Sequence, residues 1–192
     1  MIQLDAIRTA QTRVADVCLR TPLFKLEAAA DDIEIFAKLE NLQPIGSFKL
    51  RGAYNRIAQL SREQKVRGVI TYSSGNHAQG VAFSARALGI KAVIVMPSNA
   101  PEVKRKATEA LGAEIVTVGP ASAERQQRAE QLADEFGYTI IPPYDDPDII
   151  GGQATCGAEI LEDLPDVDLI LAPVGGGGLI SGVAAAAKLL KP

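Results

Sequence analysis

The chain has 192 residues, 47% hydrophobic and 22% charged, with a formal net charge of -3. Such a balance sustains a packed core in one large domain or two small ones and weighs against disorder. The mild acidity leaves no electrostatic footprint for nucleic acid or an anionic membrane. No apolar run approaches the roughly 20 residues that a bilayer span needs. The N-terminus, MIQLDAIRTAQTRVADV, lacks the apolar stretch of a signal peptide. Cys18 and Cys156 lie far apart, so a soluble, reducing, cytoplasmic setting is expected. One histidine and two lone cysteines cannot assemble an ordinary His/Cys metal site, and no metal is expected.

Strand and helix alternate along the chain. An amphipathic first helix carries Ile7, Ala10, Val14 and Val17 on one stripe. A strand follows near Ile35 to Leu39, then a loop leading to a helix near Phe48. Four strands come next, over 68–72, 91–96, 114–118 and 138–141, about every 22 residues. The helices between them are expected over 76–88, 101–111 and 121–136, with Gly89 and Gly112 as stops and Pro101 at a first helical position. That rhythm suits βαβ units and a parallel sheet. Pro142-Pro-Tyr-Asp-Asp-Pro147 then breaks the pattern and reads as a crossing between subdomains. A helix over 152–164, a strand over 167–174, four glycines and a helix over 179–190 complete the chain. The expected division is a small α/β domain at 68–145 inserted into a larger one made of 1–67 and 146–192.

Three segments carry chemistry. Gly175-Gly-Gly-Gly178 follows an apolar strand and opens a helix, where outward N–H groups favour an anion. A flexible turn is the plainer reading, and the entropy cost of four glycines argues against it. No G-K-[ST] follows, and neither glycine frame completes G-x-G-x-x-G, so a small phosphate compound fits better than a nucleotide. In Gly46-Ser-Phe-Lys-Leu-Arg-Gly52, Ser47 is placed to cap a helix with Phe48 and Lys49 in its first turn. The helix dipole there lowers the pKa of Lys49 and favours an imine-forming amine. Read alone, an exposed lysine that tolerates the dipole is the stronger reading of this segment. Ser73-Ser-Gly-Asn-His-Ala-Gln-Gly80 joins a strand to a helix and suits a carboxylate or phosphate. A plain helix start fits those residues equally, and His77 alone is also the only route to a Ser-His-Asp arrangement.

Together these segments resemble the fold-type II pyridoxal-phosphate enzymes, closest to the threonine/serine dehydratases and serine racemase. Lys38 to Ala53 is similar to the family's Schiff-base segment and Ser73 to Gly80 to its substrate loop. Pro142 to Pro147, Gly151-Gly-Gln153 and the glycine tetrad fall in the family's order. The resemblance implies a tryptophan-synthase-beta-like fold of three-layer parallel sheets, with the larger domain truncated here. It implies pyridoxal 5'-phosphate as cofactor, bound by Lys49, with Phe48 beside the ring and Asn76 on the ring's 3′-oxygen. Gly175, Gly176, Gly177, Gly178 and the N–H of Leu179 would hold the phosphate. Ser74, Gly75, Asn76 and His77, by backbone and side chain, would take the substrate carboxylate. The implied reaction is dehydration and deamination of L-threonine or L-serine to a 2-oxo acid and ammonia, with the Lys49 amine removing the Cα proton. Ser74, as in similar racemases, keeps serine racemisation open as a catalytic alternative. A binding fragment with incomplete chemistry is a further alternative. The family's members are longer, so a sheet edge without partners is expected, and with it poor folding or assembly into a homo-oligomer.

Overall fold

The computed structural model describes residues 2–27 and 33–192. Helix α1 (Leu4–Val14) buries Ile7, Ala10 and Val14 along one stripe. Strands β1 (Leu23–Leu26) and β2 (Ile35–Lys38) form an antiparallel hairpin. A 3-10 turn, Glu40–Leu42, leads towards α2 (Lys49–Ala58). Then come α3 (Arg62–Arg67), β3 (Val69–Thr71), α4 (Asn76–Ala87), β4 (Ala92–Pro97), α5 (Glu102–Ala110) and β5 (Glu114–Val118). The chain continues through α6 (Ser122–Phe136), β6 (Thr139–Ile140), α7 (Pro147–Asp163) and α8 (Gly178–Leu190).

The four strands between 69 and 140 form one parallel sheet in the order β5-β4-β3-β6. Every residue of β4 is buried, because side chains alternate between two covered faces. Ala92, Ile94 and Met96 pack with Ala78, Val81, Ala82 and Ala85 of α4 and with Ala53 and Ile57 of α2. Val93 and Val95 face Ala129, Leu132 and Ala133 of α6. Helix α7 is buried from Gly151 to Leu161 and is wrapped by α1, α2 and α8. Small residues make this possible. A Cβ on Gly152 would stand 2.5 Å from the Arg51 carbonyl, and one on Gly182 2.6 Å from the Ala154 nitrogen.

Several boundaries differ from expectation. Ser47 does not cap α2: Phe48 takes that position in αR backbone, and the buried Ser47 hydroxyl has no hydrogen-bond partner. Pro101 is the residue before α5 and not its first. Helix α7 starts at Pro147, five residues early, because Asp146 accepts from the Asp148 and Ile149 N–H groups. Helix α3 and strand β1 lie where no element was expected; Ser61 and Gln64 close a capping box on α3. Residues 167–174 form no strand among the described residues. A strand is made by its ladder, and no described strand lies beside this segment, so Leu169, Leu171 and Val174 are 72%, 85% and 68% exposed.

Candidate functional site

Lys49 is the first residue of α2, half-buried beside the half-buried Phe48. Its Nζ lies 5.5 Å from the Phe48 ring centre and donates a hydrogen bond to the Pro143 carbonyl at 2.6 Å. Burial lowers the pKa of this amine. The direction agrees with the sequence reading, with desolvation as its cause. Gly80 of α4 packs on the backbone of Lys49; a Cβ there would meet the Lys49 carbonyl at 3.2 Å. Helix α4 therefore brings its own start near the amine.

That start is the serine-glycine loop. Gly75 is the N-cap of α4 and Asn76, exposed, its first residue, with no side-chain cap. Ser73 Oγ accepts from the Gly75 N–H at 3.3 Å, and Ser74 is half-buried beside it. The space where a Gly75 side chain would stand is open. His77 behaves differently. Its ring is 3% exposed and turned into the core, with Nε2 3.0 Å from the Ile141 carbonyl. Burial pushes its pKa down to about 4, the Ile141 hydrogen bond opposing this and the Lys49 charge adding to it. The ring is neutral at pH 7 and committed inward. The ring therefore points away from the loop, and what His77 presents at the start of α4 is its backbone N–H, which has no intrahelical acceptor.

The glycine loop lies against Tyr144. Gly177, with φ +84, is the N-cap of α8 and Gly178 its first residue. The first N–H groups of a helix have no intrahelical acceptor, so those of Gly178 and Leu179 are available to an anion. Gly175 faces open space, whereas a Cβ on Gly176 would stand 2.0 Å from the Tyr144 ring. Gly176 is thus required by Tyr144, whereas a Cβ on Gly177 would come no nearer than 4.0 Å to Ser181 Oγ, so Gly175 and Gly177 both leave room for a ligand. Tyr144 follows Pro143, so one short strap meets both the Lys49 amine and the glycine loop. The sequence signal for that strap was Pro142 to Pro147, read as a crossing between subdomains and as a motif in the family's order. Its backbone bends sharply: Asp145, with φ 55, is the one non-glycine residue at positive φ among those described.

A buried ionic cluster underlies α2. Arg51 is fully buried; it bonds Glu40 at 2.7 and 2.8 Å and Glu159 at 2.6 and 2.9 Å. Lys38 pairs with Glu159 at 2.7 Å. Burial pushes the Cys18 and Cys156 thiols up to about 12, so neither is a thiolate nucleophile near neutral pH. A cavity of about 700 Å³ opens beyond α2, lined among others by Arg13, Asn55, Asp148 and Ser181. None of the expected site residues lines it. The residues around Lys49 fit pyridoxal phosphate: an amine of lowered pKa for an aldehyde, a clear helix start for a phosphate and a second for a carboxylate.

The family model described as pyridoxal-phosphate dependent enzyme matches residues 14–192. The L-threonine ammonia-lyase of Thermotoga maritima is 47% identical over 194 residues, covering 100% of this chain and 48% of that protein. The processed form of threonine deaminase isoform 2 from Solanum lycopersicum superposes with a TM-score of 0.91 at 42% identity, over 100% of this chain and 55% of that one. Maize serine racemase superposes with a TM-score of 0.94 at 41% identity, over 99% and 58%. The chain therefore spans about half the length of the curated relatives it matches. With nearly its whole length matched by one family model and its backbone shared with these enzymes, the chain belongs to the pyridoxal-phosphate dependent enzyme family.

Proposed function

We propose that this chain supplies the lysine-bearing part of a lyase that converts L-threonine or L-serine into a 2-oxo acid and ammonia. The observation that carries the reading is the Lys49 amine. It is half-buried, lowered in pKa, and held by a strap that also touches the glycine loop. Bound pyridoxal phosphate supplies an electron sink for the pair left at the substrate Cα. The Lys49 amine, its pKa lowered by burial, would hold the cofactor through its aldehyde and would accept the Cα proton. The backbone N–H groups of Gly75, Asn76 and His77 orient the substrate carboxylate at the start of α4, with Ser74 beside them. Gly175 to Gly178 and Leu179 hold the phosphate, and Phe48 walls one side. The Asn76 amide is assigned to the ring's 3′-oxygen. In the same reading, residues 68–145 make a small domain set into a larger one of 1–67 and 146–192.

Serine racemisation is the second reading. Ser74, half-buried at the α4 loop, is its proton donor for the opposite face of Cα, and the likeness to maize serine racemase supports it. A homo-oligomer that covers the exposed Leu169–Val174 segment is the proposed assembly. No helix of the described residues is long and apolar enough to cross a membrane.

The test adds pyridoxal phosphate to the purified protein, records the near-visible absorbance, reduces with borohydride and maps the modified lysine by mass spectrometry. A new band with the label on Lys49 is expected. A folded protein with no band, or with the label spread over surface lysines, overturns the assignment of Lys49. With the label in place, 2-oxo acid release from threonine or serine separates a lyase from a binding fragment, and D-serine production identifies a racemase.

A further inference from the structure

The inward-facing ring of His77 has a geometry of its own. The Ile141 carbonyl can only accept a hydrogen bond, so Nε2 carries the proton and the imidazole is the neutral Nε2–H tautomer. Thr71 Oγ1 donates to the same carbonyl at 2.7 Å, and the Ile141 N–H donates to the Ile70 carbonyl at 2.8 Å. The Ile141 peptide region is therefore pinned from three sides inside the core. Pro142 and Pro143 follow directly. Proline locks φ and has no N–H, so this pair forms a stiff arm with few ways to absorb a displacement. At the end of the arm the Pro143 carbonyl receives the Lys49 amine. No carboxylate pairs with Lys49 among the described residues. Its surroundings are the Phe48 ring, the Pro143 carbonyl and the neutral His77. The placement of that one carbonyl thus decides where the amine sits.

We propose that His77 is a positioning residue for the Lys49 amine: with Thr71 it anchors the Ile141 carbonyl and, through the Pro142-Pro143 arm, fixes the carbonyl that holds Nζ. The inference rests on Lys49 being the reactive amine of the proposed function. It gives His77 work that neither a helix start nor a substrate loop requires of it. It also explains why a polar ring is buried so close to an anion-binding turn and yet points away from it.

The experiment reads Lys49 without any cofactor. Each lysine is labelled competitively with an amine-reactive anhydride across a range of pH and quantified by mass spectrometry, with exposed Lys106 as internal standard. In His77→Leu the arm loosens, water reaches the amine, and the desolvation that lowers its pKa is relieved. The midpoint of Lys49 labelling is expected to move up by about one pH unit. Thr71→Val, nearly isosteric, moves it the same way by less. His77→Gln, whose side-chain amide N–H reaches the same carbonyl, keeps the wild-type midpoint.

A folded His77→Leu protein with the wild-type midpoint overturns the proposal, as does His77→Gln behaving like His77→Leu. If His77→Leu does not fold, Thr71→Val decides: a shift supports the anchor and an unchanged midpoint sinks it. A parallel titration with pyridoxal phosphate separates the two layers. A shifted midpoint in a protein whose Lys49 never takes the cofactor leaves the positioning role standing and removes the cofactor reading.

Discussion

Lys49 Nζ hydrogen-bonds the carbonyl oxygen of Pro143 at 2.6 Å, joining residues 94 apart in the chain. The bond ties the first turn of α2 to the strap between β6 and α7. Tyr144, the next residue, lies against Gly176, so the same strap also sets the mouth of α8. Amine and glycine loop are therefore held in one frame, and changes in either are expected to register in the other.

Replacing the amine tests the centre of that frame. Lys49→Ala should lose all covalent cofactor label while remaining folded. The side chain makes one hydrogen bond from a half-buried position, which is worth about 1 kcal/mol. Denaturant titration and mass spectrometry of the reduced protein together check both halves of the expectation.

Stability should depend on pH through the single histidine. His77 has its pKa lowered from 6.5 to about 4 in the folded protein, burial being the main cause. Between those values the unfolded chain binds more protons than the folded one, so stability rises with pH across the window and falls on acidification from 6.5 to 4. The denaturation midpoint followed over this range should show the slope in wild type and a flatter line in His77→Gln. Equal slopes would assign the dependence to the carboxylates.

The ionic cluster under α2 should be costly to break. Among the described residues, Arg51→Met leaves Glu159 paired with Lys38 alone and Glu40 with no ion pair, only its Thr21 and Gln43 hydrogen bonds. Removing one partner of a buried ion pair costs about 3–5 kcal/mol. Arg51→Lys should recover little, because a lysine cannot make the paired bonds that the guanidinium makes to both carboxylates. Chemical denaturation of the two variants measures the difference. The same cluster predicts acid sensitivity. Burial alone would raise the Glu40 pKa, but the Arg51 hydrogen bond and charge lower it overall. Its contribution is present above the ordinary carboxylate range and is lost as pH falls through the lowered folded value.

Two glycines should respond oppositely to one added methyl. Gly152→Ala drives a Cβ to 2.5 Å from the Arg51 carbonyl, backbone against backbone, and should destabilise by about 1–3 kcal/mol. Gly175→Ala meets nothing within 4 Å and should leave stability unchanged while weakening cofactor retention, because the methyl enters the space assigned to the phosphate. Thermal melts paired with a pyridoxal phosphate titration check both.

The exposed segment before the glycine loop should drive self-association. Leu169 and Leu171 are 72% and 85% exposed, an apolar run with no ladder among the described residues. Sedimentation velocity should show concentration-dependent assembly, and Leu171→Glu should reduce it. A concentration-independent monomer in the wild type would contradict this.

Much of this was readable from local pattern. Gly89 and Gly112 lie just past the ends of their helices at positive φ, because such positions depend on a few neighbouring residues. The four strands were legible from short apolar runs, and their parallel pairing from the helices between them. Ser47 failed as a cap for a reason that no pattern shows: its hydroxyl is buried without a hydrogen-bond partner, and Phe48 takes the cap position. The expected strand over 167–174 failed because apolar alternation marks a face to be covered, not the partner that covers it.

By itself the sequence determined the βα alternation, the helix stops, and the two glycine-rich turns where backbone N–H groups meet solvent. These follow from φ/ψ preferences and from hydrogen bonds that close within a few residues. Only the tertiary structure decided that Pro143 receives the Lys49 amine, that the His77 ring turns from the loop to Ile141, and that Arg51 is buried between two carboxylates. Those contacts join residues far apart in the chain. Their geometry is set by how α2, α4 and α7 pack together and against the sheet, which decides which polar groups come within hydrogen-bond reach.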